Sequence, residues 1–84
     1  MEPFPVQILA ADHPFYEGPC LSLVLPTITG MYGIRARHRN MITAVVPGVM
    51  RYLLPGQEEQ VASVSSGMVK IENGEVMVLV DAAE

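Results

Sequence analysis

Apolar and polar residues alternate over short segments along the whole chain. In CLSLVL, Leu21, Leu23 and Leu25 alternate with Ser22 and Val24, and a period of two is typical of a β-strand with one buried face. Residues that favour turns separate similar apolar segments at VQILA, PFYEG, GMYGI, ITAVV and EVMVLV. The pattern therefore predicts short strands throughout the chain.

Prolines leave little room for helices. Seven prolines are spread along the chain, and an interior proline breaks a helix because it lacks an N–H donor and clashes with the preceding turn. Residues 34–46 contain neither Gly nor Pro, so a helical turn could form there. The β-branched residues Ile42, Thr43, Val45 and Val46 favour a strand in the second half of that segment.

Three turn signals connect the predicted strands. Asn73-Gly74 lies between MVKIE and EVMVLV and supplies the positive φ angles of a two-residue hairpin turn. The alternation beside it places Val69 and Ile71 on one face. Pro47-Gly48 predicts a turn between two apolar segments, and Asp12-His13-Pro14 predicts another.

The strand count predicts the fold class. About eight to ten short strands at close spacing favour an all-β fold, a flattened antiparallel β-sandwich or barrel of about ten strands. At 84 residues the chain is predicted to form one domain, residues 1–84. Hydrophobic residues make up 50% of the chain and charged residues only 17%. This excess of apolar residues predicts an exposed surface that a partner covers.

The chain lacks the sequence features of membrane insertion and secretion. Pro, Gly or charge interrupts every apolar segment well short of the roughly 20 residues that cross a bilayer. The start, Met1-Glu2-Pro3, has no basic region followed by an apolar one, as a secretory signal would have. We therefore expect an intracellular protein without direct membrane insertion.

Positive charge is concentrated in one segment. The chain has nine acidic residues and five Lys and Arg, with a net charge of −4. Three of the five, Arg35, Arg37 and Arg39, surround His38 in IRARHRN. An extended backbone would point the arginines to one side and Ala36 and His38 to the other. A solvated loop is the first interpretation of the segment, an anion or acidic-partner site the second and a nucleic-acid site the third.

Residues for catalysis or metal binding are few. His13 and His38 are the only histidines and Cys20 is the only cysteine, so no ligand pair at a recognisable metal-binding spacing is present. Cys20 stands in an apolar segment and is predicted to be buried. The serines lack the elbow motif of a nucleophile and are predicted to serve close packing: Ser63, Ser65 and Ser66. Three methionines are also predicted to be packing residues: Met50, Met68 and Met77.

The order of several motifs carries a family resemblance. The chain resembles the amino-terminal β-sandwich domain of the epsilon subunit of bacterial and chloroplast rotary ATP synthases, over essentially its whole length. No single motif is decisive, but their order and spacing are. The matching segments are Phe15-Tyr16-Glu17-Gly18, GMYGI, His38, MITAVVPG, Ser65-Ser66-Gly67 and the stretch from Asn73 to Glu84.

The resemblance implies a mechanical role. It implies a non-catalytic central-stalk subunit that docks to the gamma subunit and to the polar loops of the c-ring, and that couples proton or sodium flow to ATP synthesis. It further implies a peripheral complex at the cytoplasmic face of the bacterial inner membrane. No cofactor, metal ion or nucleic acid is expected. The helical hairpin that follows this domain in the family is expected to be absent, and with it nucleotide binding and inhibition.

The resemblance also implies a docking loop around His38. The partner-facing residues that it predicts are Met31, Tyr32, Arg35, Arg37, His38 and Arg39. Two departures change this loop. The family has Pro-Gly before the histidine and Ala-Pro after it, whereas this chain has Ala36-Arg37 and Arg39-Asn40. The acidic residue usual between the two glycines is missing, because Met31 and Tyr32 stand there. We expect the arginines to bind carboxylates or carbonyls of the ring or of gamma.

Two other functions remain as alternatives. A small nucleic-acid-binding barrel would use Arg35, Arg37 and Arg39 with Tyr32 as a stacking platform, but such domains usually present several aromatics on a basic face. Here aromatics are 6% of residues and the net charge is negative. An enzyme ranks third, since only the two histidines favour it.

Overall fold

The computed structural model describes all residues from 1 to 84 and contains nine strands and no helix. This confirms the predicted all-β fold, with nine strands where about ten were expected. The bounds of the strands are β1 Phe4–Ala10, β2 His13–Cys20, β3 Ser22–Thr27, β4 Gly30–Ile34, β5 Met41–Val45, β6 Gly48–Leu53, β7 Gln60–Val64, β8 Gly67–Glu72 and β9 Glu75–Val80.

The strands form one curled sheet that folds into two layers. Its order is β2-β1-β9-β8-β5-β3-β6-β7, and β4 pairs with β3 outside this path. All pairs are antiparallel except β1 with β9, which is parallel. No hairpin turn joins these two strands, the first and last along the chain. Tertiary packing alone therefore sets their relative direction.

The predicted turn at Pro47-Gly48 marks the place where the chain changes layers. Pro47 separates β5 from β6, and Gly48 is the first residue of β6. These strands do not pair with each other: β5 pairs with β8, β6 pairs with β7, and both contact β3. The segment is therefore a corner between the two layers and not a hairpin, a common device in sandwiches.

The β8–β9 connection is the predicted two-residue hairpin. Asn73 has φ 52° and Gly74 has φ 79°, the positive angles that this turn type requires. The register pairs Glu72 with Glu75 across the turn. Val69 and Ile71 are buried as predicted.

Twenty buried apolar residues form a single core between the layers. Leu23, Leu25 and Ile34 of β3 and β4 are fully buried, as is Cys20. The prediction of a buried cysteine is confirmed, and burial raises the pKa of its thiol. Because the thiol stays protonated at neutral pH, Cys20 behaves as a small apolar core residue.

The methionines divide between core and surface. Met50 is fully buried and Met77 is half-buried, but Met68 is exposed. The prediction that Met68 packs in the core is wrong. The exposure of Met68 follows from the alternation within β8. Since Val69 faces the core, its neighbour Met68 points outward.

Candidate docking surface

The segment from Arg35 to Asn40, which we call the basic loop, connects β4 with β5 and thereby spans the two layers. Its backbone is not extended, because a turn lies at Ala36-Arg37 and Arg37 has φ 64°. The side chains nevertheless separate as an extended segment would place them. The three arginines are exposed, and Ala36 and His38 are half-buried.

His38 is held by two hydrogen bonds. Its Nδ1 lies 2.8 Å from the carbonyl oxygen of Arg39, and its Nε2 lies 2.9 Å from the hydroxyl of Tyr32. A carbonyl can only accept, so Nδ1 carries a proton, and in the neutral ring Nε2 accepts from the Tyr32 hydroxyl. The rings also meet edge to face, with centroids 5.4 Å apart. His38 is therefore half-buried and bonded at both ring nitrogens, unlike the side chains of a fully solvated loop.

Tyr32 belongs to the same arrangement. Its side chain is half-buried and packs against the core, and its hydroxyl is occupied by His38. A stacking platform for nucleic-acid bases needs an aromatic face open to solvent. The position of Tyr32 therefore disfavours the nucleic-acid alternative.

Two further contacts tie the basic loop to its surroundings. The side-chain oxygen of Asn40 accepts a hydrogen bond of 2.9 Å from the backbone N–H of Asn73, in the β8–β9 turn. Arg37 Nε lies 3.0 Å from a carboxylate oxygen of Glu2, and both side chains are exposed. An exposed ion pair contributes at most about 1 kcal/mol. Arg35 and Arg39 form no ion pair within 4.0 Å, so two guanidinium groups are free.

The basic loop is thus a local concentration of positive charge on a chain of net charge −4. Neighbouring guanidinium groups repel one another, and this repulsion is relieved when an anion binds between them. Exposed charges act over about 8 Å at physiological ionic strength. The loop can therefore attract acidic groups of a partner at short range, while the rest of the surface does not favour anions.

A second surface was not predicted residue by residue. Leu9, Leu79, Met68 and Ala44 occupy matching positions on β1, β9, β8 and β5, and the N–H of Ile28 bonds to the carbonyl of Ala44. These five residues, which we call the apolar row, cross the outer face of one layer. The exposed fractions are 39% for Leu79, 37% for Met68 and 71% for Ile28.

The apolar row explains part of the high hydrophobic content. Contiguous exposed apolar residues mark interaction sites more often than scattered ones do. The composition predicted such a surface. The alternation also places Met68 and Leu79 opposite their buried neighbours, but only the strand order shows that the five residues are adjacent.

The other candidate chemistry has structural explanations. His13 Nδ1 lies 2.7 Å from a carboxylate oxygen of Asp12 on the surface, and this hydrogen bond lowers the pKa of Asp12. Ser65 Oγ accepts from the N–H of Ala82 at 2.8 Å. Ser63 exchanges backbone hydrogen bonds with Glu84. No three His, Cys, Asp or Glu side chains converge as metal ligands.

No helix in the structure has the length and hydrophobicity needed to cross a bilayer.

The sequence matches a known family model. Residues 3–84 match the model described as ATP synthase, delta/epsilon chain, beta-sandwich domain. The predicted resemblance is therefore confirmed over nearly the whole chain.

Curated relatives are named ATP synthase epsilon chain, a non-catalytic subunit of its complex. The chain is 39% identical over 80 residues to that of Nitrosospira multiformis, covering 95% of this chain and 58% of the relative. It is 38% identical over 79 residues to the epsilon chain of Shouchella clausii, and the match covers 94% of this chain and 59% of that relative. The relative from Neisseria meningitidis is 33% identical, with 93% and 56% covered. The chain thus spans a little over half the length of these relatives.

Two solved structures share the fold. A chain in the mitochondrial ATP synthase of Euglena gracilis superimposes with a TM-score of 0.91 at 18% identity, covering 98% of this chain and 52% of that one. A chain in the central stalk and c-ring of the Tetrahymena thermophila mitochondrial enzyme gives 0.85 at 9% identity, covering 95% and 64%. Similarity at these identities concerns the fold alone. Together with the family match and the relatives above 30% identity, it shows that this chain belongs to the family of the ATP synthase delta/epsilon β-sandwich domain.

Proposed function

We propose that this chain is a non-catalytic rotor subunit of the central stalk in a proton- or sodium-translocating ATP synthase. The observation that carries the proposal is the match of residues 3–84 to the delta/epsilon domain. Residues 1–84 act as one domain that docks to the gamma subunit and to the polar loops of the c-ring. Its work is to fasten the stalk to the ring, so that ion flow turns the stalk and drives ATP synthesis.

The apolar row supports docking to gamma. Leu79, Met68 and Ile28 are partly or largely exposed in the free chain, and burying such side chains stabilises an interface by up to roughly 1.5–3 kcal/mol each. The row crosses strands of a rigid sheet, so little conformational entropy is lost when it is covered. A permanent contact of this kind suits a subunit that must not slip under torque.

The basic loop supports docking to the ring. Its three guanidinium groups are exposed, and Met31 beside it is 57% exposed. Guanidinium groups bind carboxylates through two parallel hydrogen bonds and also donate to carbonyl oxygens. In this proposal Met31, Arg35, Arg37 and Arg39 contact the partner. Tyr32 and His38 hold the loop in place from behind.

The location follows from these partners. Polar loops of a c-ring project from the membrane, so a subunit bound to them is peripheral to the membrane and not inserted in it. We place the chain at the cytoplasmic face of the bacterial inner membrane, as part of this complex. The proposal requires no cofactor and no metal ion of this chain.

Binding to the isolated partners tests the proposal. We expect the chain to co-elute with the gamma subunit of the same organism in gel filtration at micromolar concentrations. We also expect it to sediment with c-rings reconstituted in vesicles. The triple variant R35A/R37A/R39A should lose ring binding and keep gamma binding, because the apolar row is unchanged.

A matched control separates position from charge. Arg51 is an exposed arginine on β6, outside the basic loop, so R51A removes a positive charge without touching the loop. We expect R51A to bind the ring as the unmodified chain does. Equal ring binding by R35A/R37A/R39A and the unmodified chain would exclude the docking role of the loop. Absence of gamma binding would exclude the rotor function.

A further inference from the structure

The curled sheet has three strands with an edge that no other strand covers: β2, β7 and β4. Residues 83 and 84 pair with part of β7, through the Val64–Ala83 bridge and two hydrogen bonds between Ser63 and Glu84. β2 contains Pro14 and Pro19, and prolines protect an edge because they cannot donate to an added strand. β4 has neither form of protection.

Hydrogen bonds on the far side of β3 show which groups of β4 are free. The Pro26 carbonyl accepts from the N–H of Val46, and the N–H of Ile28 bonds to Ala44. Pro26 and Ile28 therefore bond toward β5, and Thr27 between them bonds toward β4. Since hydrogen-bonding directions alternate along a strand, Leu25 and Leu23 also bond toward β4.

The register between β3 and β4 then shows which residues of β4 bond to β3 and which do not. Thr27, Leu25 and Leu23 lie opposite Gly30, Tyr32 and Ile34, so these three residues of β4 bond to β3. Met31 and Gly33 alternate with them, and their N–H and C=O groups point away from the sheet. Two residues of β4 thus present unpaired donors and acceptors to solvent, as an edge strand ready for pairing does.

The faces of β4 are open to solvent beside its two glycines. A Cβ placed on Gly30 or on Gly33 would meet no atom within 4 Å. Met31 is exposed, Gly33 is exposed and has no side chain, and β4 contains no charged residue. The free edge leads directly into the basic loop, where Arg35 and Arg39 have no ionic partner.

We propose that β4 accepts an extended, acidic segment of a partner protein as an additional antiparallel strand. The partner backbone bonds to Met31 and Gly33, and carboxylates near the amino-terminal end of the segment bind Arg35 and Arg39. An antiparallel direction brings that end of the segment beside the basic loop. This inference rests on the proposed docking role of the loop. It specifies in addition that the bound segment of the partner is an extended strand.

The charge of the loop decides the kind of partner. Strand addition takes affinity from main-chain hydrogen bonds and specificity from flanking side chains, which here are guanidinium groups. A second copy of this chain is a poorer fit, because residues 28–34 contain no carboxylate. Nucleic acid offers no backbone N–H groups for Met31 and Gly33.

A synthetic peptide tests the inference without any synthase subunit. The probe is about six residues long, alternates valine and threonine, and begins with two glutamates. We expect amide hydrogen exchange at Met31 and Gly33 to slow at least about tenfold at saturating peptide. The amides of Gly30, Tyr32 and Ile34, already bonded to β3, should be protected before the peptide is added.

Two matched probes separate strand addition from charge attraction. A peptide N-methylated at the bonding positions keeps its carboxylates and loses its donors, and we expect it to bind about tenfold more weakly. R35Q/R39Q should weaken the unmodified peptide by a similar factor, while R51Q should not. M31P removes one free N–H and should also weaken binding; the N-methylated peptide gives the same information should this variant fail to fold.

Several outcomes would overturn the inference. Binding without protection at Met31 and Gly33, or equal affinity of the N-methylated peptide, would exclude strand addition. Concentration-dependent dimers that protect the same amides would assign the edge to a second copy, and protection by single-stranded DNA would assign it to nucleic acid. None of these results tests the rotor function, which is tested by binding of the unmodified chain to the gamma subunit.

Discussion

The hydroxyl of Tyr32 lies 2.9 Å from Nε2 of His38 and joins β4 to the basic loop. The other ring nitrogen of His38 bonds to the carbonyl of Arg39, so one side chain fixes both a strand and the loop that follows. Arginine side chains lose much rotamer freedom when they bind. A loop that is already held in place reduces the further cost of ordering its backbone.

Removal of this hydroxyl should loosen the loop. We expect Y32F to keep the fold, to lower the free energy of unfolding by about 0.5–1.5 kcal/mol, and to speed amide exchange in residues 35–40. Hydrogen exchange followed by NMR measures the effect. Y52F is the control, since the Tyr52 hydroxyl bonds to Gln60 at 3.3 Å between β6 and β7. Equal exchange rates for the basic loop in both variants would contradict the positioning role of Tyr32.

Gly67 should tolerate no side chain. A Cβ at this position would lie 1.9 Å from the carbonyl oxygen of Leu79 and 2.7 Å from the Cα of Val80, so the β8–β9 pair would have to move. We expect G67A to destabilise the fold by about 1–3 kcal/mol, measured by chemical denaturation. G33A is the control, because its Cβ would meet no atom within 4 Å. A loss for G67A no larger than for G33A would show that the strands can separate without cost.

The thiol of Cys20 should make stability depend on alkaline pH. Burial raises its pKa above the ordinary value of 9.0 in the folded chain. The thiol therefore adds stability that is complete below pH 9.0 and is lost as pH rises through the folded pKa. We expect the free energy of unfolding to fall with pH in this range, and to fall less in C20A. Identical slopes for both proteins would show that the thiol does not contribute.

The apolar row should matter for binding and not for folding. Met68 is partly exposed, so M68Q should change the free energy of unfolding by less than about 0.5 kcal/mol. We expect it to weaken gamma binding about tenfold, because a polar amide would be buried in an apolar interface. V61Q is the control: Val61 is 63% exposed on β7, in the other layer. Equal gamma binding by M68Q and V61Q would remove the apolar row from the interface.

The sequence by itself determined the local structure. Asn73-Gly74 specifies its hairpin because few residue pairs accept two positive φ angles. The alternation around Val69 and Leu23 specifies which faces are buried, since the side chains of a strand point to opposite sides in turn. The motif order specified the family. Each of these features depends on residues that are close along the chain.

Only the tertiary structure decided which distant residues become neighbours. The parallel pairing of β1 with β9, the apolar row and the free edge of β4 all depend on strand order. Many strand orders bury the same alternating faces, so the pattern does not distinguish among them. The half-buried position of His38 likewise depends on Tyr32 approaching from the neighbouring strand. Contacts between strands are set by the packing of the whole core, to which each short segment contributes only a small part of the free energy.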